Sequence, residues 1–213
     1  MYLTTLVDAH RLAPEEPWPA AIEDSWEAYL WTTSHSARRL NLDISKMAVS
    51  GASAGAKIAA VIAQKAALRP QPGALMRSQL LAVPITDNTA CPCSNPTWKA
   101  FEFTAGLSAQ KMLWYRQHYL PNKADWSHPE ASPLLAPDEV FQRLPPAVII
   151  LAELDVLKHE GMEYAKKLET NGVPVKVTVM ESMPHPFLAM DGVLEAGSKA
   201  ITIICDELIQ AFA

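Results

Sequence analysis

Residues 51–55 read Gly-Ala-Ser-Ala-Gly, a G-x-S-x-G pattern. It directly follows a short apolar run and directly precedes "AGAKIAAVIA", which is rich in Ala, Ile and Val at helical spacing. A serine on a sharp strand-to-helix turn is the setting of an acyl-transfer nucleophile. The geometry gives each residue type a purpose. Gly51 and Gly55 avoid collisions of side chains with neighbouring backbone in so tight a turn. Ser53 is forced into a strained conformation that lifts its hydroxyl clear of the sheet. The helix behind it turns its positive end toward the site, and the N–H of Ala54 becomes one oxyanion donor. The competing reading is a plain turn built from small residues.

A serine hydroxyl is a poor nucleophile without a base and an acid that orients the base. In a parallel α/β arrangement both belong after the serine, just beyond the C-terminal ends of strands. "AVIILAELDVLKHEG" runs a strand into Asp155, and "VKVTVMESMPHPF" runs the next into His185. The interval of 30 residues from Asp155 to His185 matches about one helix-plus-strand unit, so both side chains are expected at one sheet edge. Glu153 competes with Asp155, since two residues along a strand restores the same face. Glu160 is expected to cap the following helix, and His159 reaches the site only by bending back from that helix. His10, His35, His118 and His128 lack a strand-end setting and read as surface or hydrogen-bonded structural residues.

The elements that must position these groups alternate along the chain. Strands are expected at 2–9, 46–50, 79–85, 147–154 and 173–181. Most are continuously apolar, as in strands covered on both faces. Val175, Val177 and Val179 alternate with more polar residues, which moves the last strand toward an edge. Helices are expected at 20–40, 54–68, 108–119, 160–170 and 191–212, with Ser108 as an N-cap and Asn171-Gly172 as a stop. The alternation predicts an α/β fold, mostly parallel, with helices on both faces of the sheet, as a single domain over 1–213. Prolines punctuate 86–145, a stretch of one clear helix and much irregular chain that suits the wall of a substrate pocket.

Composition narrows the function classes. The 213 residues carry 18 basic and 23 acidic side chains, for a formal net charge of −5. No basic cluster stands out to meet a phosphate backbone, which argues against nucleic acid. No apolar stretch reaches the roughly 18 residues of a membrane span, and the N-terminus lacks the pattern of a signal peptide. These features point to a soluble protein of the cytoplasm. "CPC" at 91–93 lacks a second Cys or His pair at ligand spacing, so no metal is expected. Cys91, Cys93 and Cys205 read as loop cysteines in a reducing compartment.

Four stretches carry a resemblance: "HRLAPEEPWPAAIED" at 10–24, "GASAGAKIA" at 51–59, "SPLLAPDEVFQRLPPAVIILAELDVLKHEGMEYAKKL" at 132–168, and "HPF" at 185–187. In these motifs and their order the chain resembles the hormone-sensitive-lipase-like carboxylesterases, the alpha/beta hydrolase fold-3 family. The resemblance implies Ser53 as nucleophile, Asp155 as acid and His185 as base. It implies hydrolysis of short- to medium-chain acyl esters, with a small-molecule ester as partner and neither metal nor organic cofactor. It also implies a homodimer through the last strand and helix. The family's His-Gly-Gly-Gly loop, upstream of "RLAPE", and its N-terminal cap are not in this sequence, so an N-terminally truncated hydrolase fold is expected. The strand that leads into that loop lies, in the family, between residues 2–9 and the nucleophile strand. Residues 2–9 are therefore expected to pair elsewhere, shift or leave a gap. Ala52, Ala56 and His10 replace an acidic residue, a glycine and a tyrosine. Activity is expected to be reduced, since each lost oxyanion donor lowers rates by about 10²–10³. The alternatives are a non-catalytic ligand-binding protein on the same scaffold, and lactone or polyketide-type acyl chemistry.

Overall fold

The computed structural model describes residues 3–34 and 40–213. Four parallel strands form one sheet in the order β1 (Met47–Ala52), β2 (Met76–Ala82), β3 (Ala147–Ala152) and β4 (Val175–Met180). β3 is buried at all six positions, as its unbroken Ala-Val-Ile-Ile-Leu-Ala run requires. β4 is buried only at Met180, with Lys176 and Val179 exposed, and forms an edge, as was expected of the last strand. β1 forms the other edge, bonded among the described residues to β2 alone.

Helices cover both faces. α2 (Ala54–Leu68) and α6 (Lys158–Thr170) pack one face: Ala56, Ala60 and Ala63 of α2 and Tyr164 and Leu168 of α6 meet Leu81, Ile149 and Leu151 of the sheet. The small residues of α2 let its backbone approach the strands closely. α7 (Glu195–Phe212) covers the other face, with Ala200, Ile203 and Ile204 against Ile150, Ala152 and Met180. α1 (Ala20–Thr33) lies on α2 through Ile22, Trp26 and Tyr29. The "HRLAPEEPWP" stretch is anchored to it: Arg11 donates through its backbone N–H and its guanidinium to the Asp24 carboxylate.

Between β2 and β3 run α3 (Pro96–Ala100), α4 (Ala109–Tyr119), α5 (Asp138–Phe141) and short 3-10 turns. Ser108 caps α4, accepting from the Lys111 N–H. Trp98, Leu107 and Met112 pack with Val156 and Leu157, so this stretch sits on the loop that carries Asp155.

Four expectations are corrected. The described part of the 2–9 segment, residues 3–9, forms no strand and is exposed. A strand is held by its ladder, and this segment has no partner strand beside it. β2 lies three residues earlier than expected, because Val83 takes a positive φ of 42° and Pro84 follows. The cysteine reading fails for Cys91 and Cys93, which form a disulfide, while Cys205 is free and exposed. The helix expected over 20–40 ends at Thr33, and 35–39 fall outside the described residues. No helix among the described residues is long and apolar enough to cross a membrane.

Candidate active site

All four strands point their C-terminal ends at one edge of the sheet, and three of the loops leaving that edge carry the site. At the end of β1 the chain turns directly into α2. Ser53 sits at the turn with φ 55° and ψ −116°, a region that costs a non-glycine residue about 1–3 kcal/mol. Its conformation is held from both sides. The Ser53 N–H donates to the Ala82 carbonyl at the end of β2, 2.8 Å away, and the Ser53 carbonyl accepts from the Lys57 N–H at 3.0 Å. Ala54 is the first residue of α2, and a first-turn N–H has no acceptor within its own helix. It is therefore available beside the Ser53 hydroxyl.

The two glycines of the turn differ. A Cβ on Gly51 would lie 2.3 Å from the carbonyl of Gly55, whereas a Cβ on Gly55 would meet nothing within 4 Å. The steric expectation holds for Gly51 and is corrected for Gly55, whose missing side chain would point into open space.

The structure brings Ser53, His185 and Asp155 together. His185 Nε2 lies 2.9 Å from Ser53 Oγ, and His185 Nδ1 lies 2.7 Å from Asp155 Oδ2. Asp155 is 1% exposed, and its second oxygen accepts from the Leu157 N–H at 3.0 Å. The carboxylate is thus fixed at both oxygens. This arrangement holds the imidazole with its proton on Nδ1 and a lone pair on Nε2 facing the serine.

The competing residues stand elsewhere. Glu153 accepts from the Ser182 N–H at 2.6 Å, and Ser182 has φ 58°. Glu153 therefore braces the turn that leads to His185. Its backbone N–H and that of Leu154 also donate to Met180 and Met183 across the same gap. Glu160 does not cap α6, as was expected of it. It is buried, and its carboxylate accepts from the N–H groups of Thr86 and Asp87 and from the Trp98 indole. Burial pushes its pKa up to about 8. The His159 amide donates to the Thr97 hydroxyl. His10 stands by Asp8, His118 against Trp114 and His128 against Trp18. His35 lies outside the described residues. Among the described residues no cluster of His, Cys, Asp or Glu is arranged to hold a metal ion.

Lys57 was not singled out by the sequence reading. It follows Ser53 by one helical turn, is buried, and donates to the Tyr119 hydroxyl, with its Nζ 3.8 Å from that ring's centre. The Tyr119 carbonyl in turn accepts from the Trp18 N–H. The helix behind the serine, α4 and the proline-rich loop are tied together there. A signal was present in the sequence: Lys57 interrupts the otherwise apolar run of residues 54–63.

The sequence family described as alpha/beta hydrolase fold matches residues 4–189. The chain is 46% identical over 204 residues to an AB hydrolase superfamily protein of Schizosaccharomyces pombe, covering 96% of this chain and 60% of that one. It is 31% identical to the ethyl acetate hydrolase of Pseudomonas putida, over 94% of this chain and 61% of the relative. A solved esterase of Pyrobaculum calidifontis superposes with a TM-score of 0.87 at 33% identity, over 96% of this chain and 65% of that one. The chain thus spans about three fifths of the length of these curated relatives. The parallel sheet, the turn at Ser53 and the match across most of the sequence lead to one assignment: the chain belongs to the alpha/beta hydrolase fold-3 family.

Proposed function

We propose that this chain carries the catalytic centre of a serine carboxylesterase that hydrolyses short- to medium-chain acyl esters. The observation that supports it is the continuous hydrogen-bonded path from Asp155 through His185 to Ser53, at 2.7 and 2.9 Å. That three-way geometry, and not the fold, is the argument.

In this mechanism His185 Nε2 takes the proton from Ser53 Oγ as the oxygen attacks the ester carbonyl carbon. Asp155 keeps the Nδ1 proton in place and stabilises the imidazolium that forms. The carbonyl oxygen becomes an oxyanion, which accepts from the Ala54 N–H at the positive end of α2. Collapse expels the alcohol, which takes its proton from His185 Nε2–H, and leaves an acyl group on Ser53. Water then attacks the acyl carbon, passing its proton to Nε2. The second tetrahedral intermediate releases the carboxylic acid as Ser53 Oγ recovers that proton. Every proton in the cycle moves through one nitrogen, so its 2.9 Å approach to Oγ is the critical distance.

A relative's name, ethyl acetate hydrolase, supports the short-chain end of the substrate range. The test is hydrolysis of p-nitrophenyl butyrate by this chain beside its Ser53→Ala variant, with both shown to be folded. Turnover in the parent and its loss in the variant is the expected result. Equal turnover in both would overturn the proposal.

A further inference from the structure

Between α4 and the 3-10 turn Lys123–Asp125 lies a cavity of about 410 Å³ that shares no residue with the Ser53 site. Two cations line it, Arg116 from α4 and Lys123 from the turn, along with the hydroxyl residues Thr89 and Ser127 and with Trp126; among the described residues no acidic side chain lines it.

Arg116 is 2% exposed. Its guanidinium carbon lies 5.0 Å from the ring centres of both Trp98 and Trp126. Both indoles lie within cation–π range, but a ring face offers no acceptor to N–H groups at the guanidinium edge. Nη1 donates to the Ala90 carbonyl at 2.8 Å. Nε and Nη2 are buried and, among the described residues, have no hydrogen-bond partner. Leaving a buried donor unpaired costs about 1–3 kcal/mol, and more when it is charged.

The nearby carboxylates do not fill the gap. Burial disfavours the Arg116 charge, while Glu160 and Asp87 favour it from a distance. Among the described residues neither forms a hydrogen bond with its Nε or Nη2. Glu160 accepts from Thr86, Asp87 and Trp98. Asp87 accepts from the N–H and hydroxyl of Thr89. The guanidinium therefore has planar donors to spare beside a cavity that holds a second cation.

We propose that this cavity is an oxyanion-binding site, in which Arg116 and Lys123 bind the carboxylate or phosphate group of a small ligand. Arginine's fixed fork matches either group in a bidentate fashion, and Lys123 adds a point charge at the rim. The volume of about 410 Å³ admits a small organic acid or phosphate ester. The site is independent of ester hydrolysis at Ser53, so either reading can fail alone.

The test is calorimetric titration of the whole chain with sodium phosphate and, separately, sodium acetate, against a chloride background of equal ionic strength. Saturable one-site binding of at least one anion is expected, weakened about tenfold or more in Arg116→Met. Phosphate binding alone would assign a phosphorylated ligand; acetate binding would assign a carboxylate. If Arg116→Met does not fold, Lys123→Ala, which changes an exposed side chain, takes its place with the same expectation. No saturable binding of either anion overturns the proposal. So does binding that the folded variant leaves unchanged.

Discussion

Gly51 and Gly55 stand back to back across the turn at Ser53, so close that a Cβ on the first would lie 2.3 Å from the carbonyl of the second. Real Cβ atoms do not approach backbone so nearly, and no flexible side chain is there to move aside. Gly51→Ala must therefore push β1 and α2 apart at the position that aims Ser53. We expect it to destabilise the chain by about 1–3 kcal/mol and to lower esterase activity in the fraction that remains folded. Gly55→Ala meets nothing and lies in the first turn of α2, so it should leave the melting temperature unchanged or raise it. Thermal melts of the two variants side by side check the contrast.

The Asp155 carboxylate holds one oxygen on His185 Nδ1 and the other on the Leu157 N–H. Asp155→Asn keeps the shape but presents an amide where a charge is needed, and it favours the wrong imidazole tautomer. The expected effect is a fall in kcat of roughly 10⁴ with little change in KM. Steady-state kinetics on p-nitrophenyl butyrate provide the check. A fall confined to KM would mean that Asp155 does not act through His185.

Glu153 predicts a subtler effect. Its bond to the Ser182 N–H, at 2.6 Å, braces the turn between β4 and His185 without touching the serine. Glu153→Ala should lower kcat about 10- to 100-fold by loosening the histidine, the scale expected of ångström-level misplacement. Glu153→Asp, which keeps the charge, should recover part of that loss, whereas a purely steric role would show no such recovery.

Lys57 makes stability depend on pH. Burial pushes its pKa from the ordinary 10.5 down to about 7. Between those values the unfolded chain holds a proton on this amine that the folded chain does not. Stability must therefore rise with pH across that window, by up to about 1.4 kcal/mol per unit. Below pH 7 both states are charged and the full penalty of the buried ammonium is present. Lys57→Met removes the penalty, so its stability relative to the parent should be greatest near pH 6 and shrink steadily toward pH 10. Denaturant melts at several pH values measure the difference. A difference independent of pH would show that the amine does not titrate in this range.

The four strands of the sheet were legible because each is a short apolar run closed by turn residues. The order of the catalytic candidates was legible because a parallel sheet delivers every strand end to one edge. What local pattern could not supply was partnership. Residues 2–9 look like a strand by composition, but the described part, 3–9, has no neighbour to bond. β2 was placed late because Val83 and Ile85 suit a strand, and only the positive φ at Val83 reveals the turn. Glu153 and Asp155 both suit the acid's role on spacing; the structure separates them, giving one a backbone amide and the other the imidazole. The burial of the ionisable side chains of Lys57, Arg116 and Glu160 depends on tertiary neighbours from distant segments. So does the disulfide of Cys91 and Cys93, which two cysteines in a loop do not announce.

The most direct test of the central claim is covalent labelling with a fluorophosphonate ester, followed by mass spectrometry of the digested protein. The phosphorus centre accepts a nucleophilic serine and mimics the tetrahedral intermediate, so labelling reports the activated hydroxyl without depending on the natural substrate. The account predicts one label per chain, on the peptide that contains Ser53, abolished in His185→Ala although Ser53 is still present. A folded chain that takes no label, or one labelled at another residue with Ser53 unmodified, would contradict it.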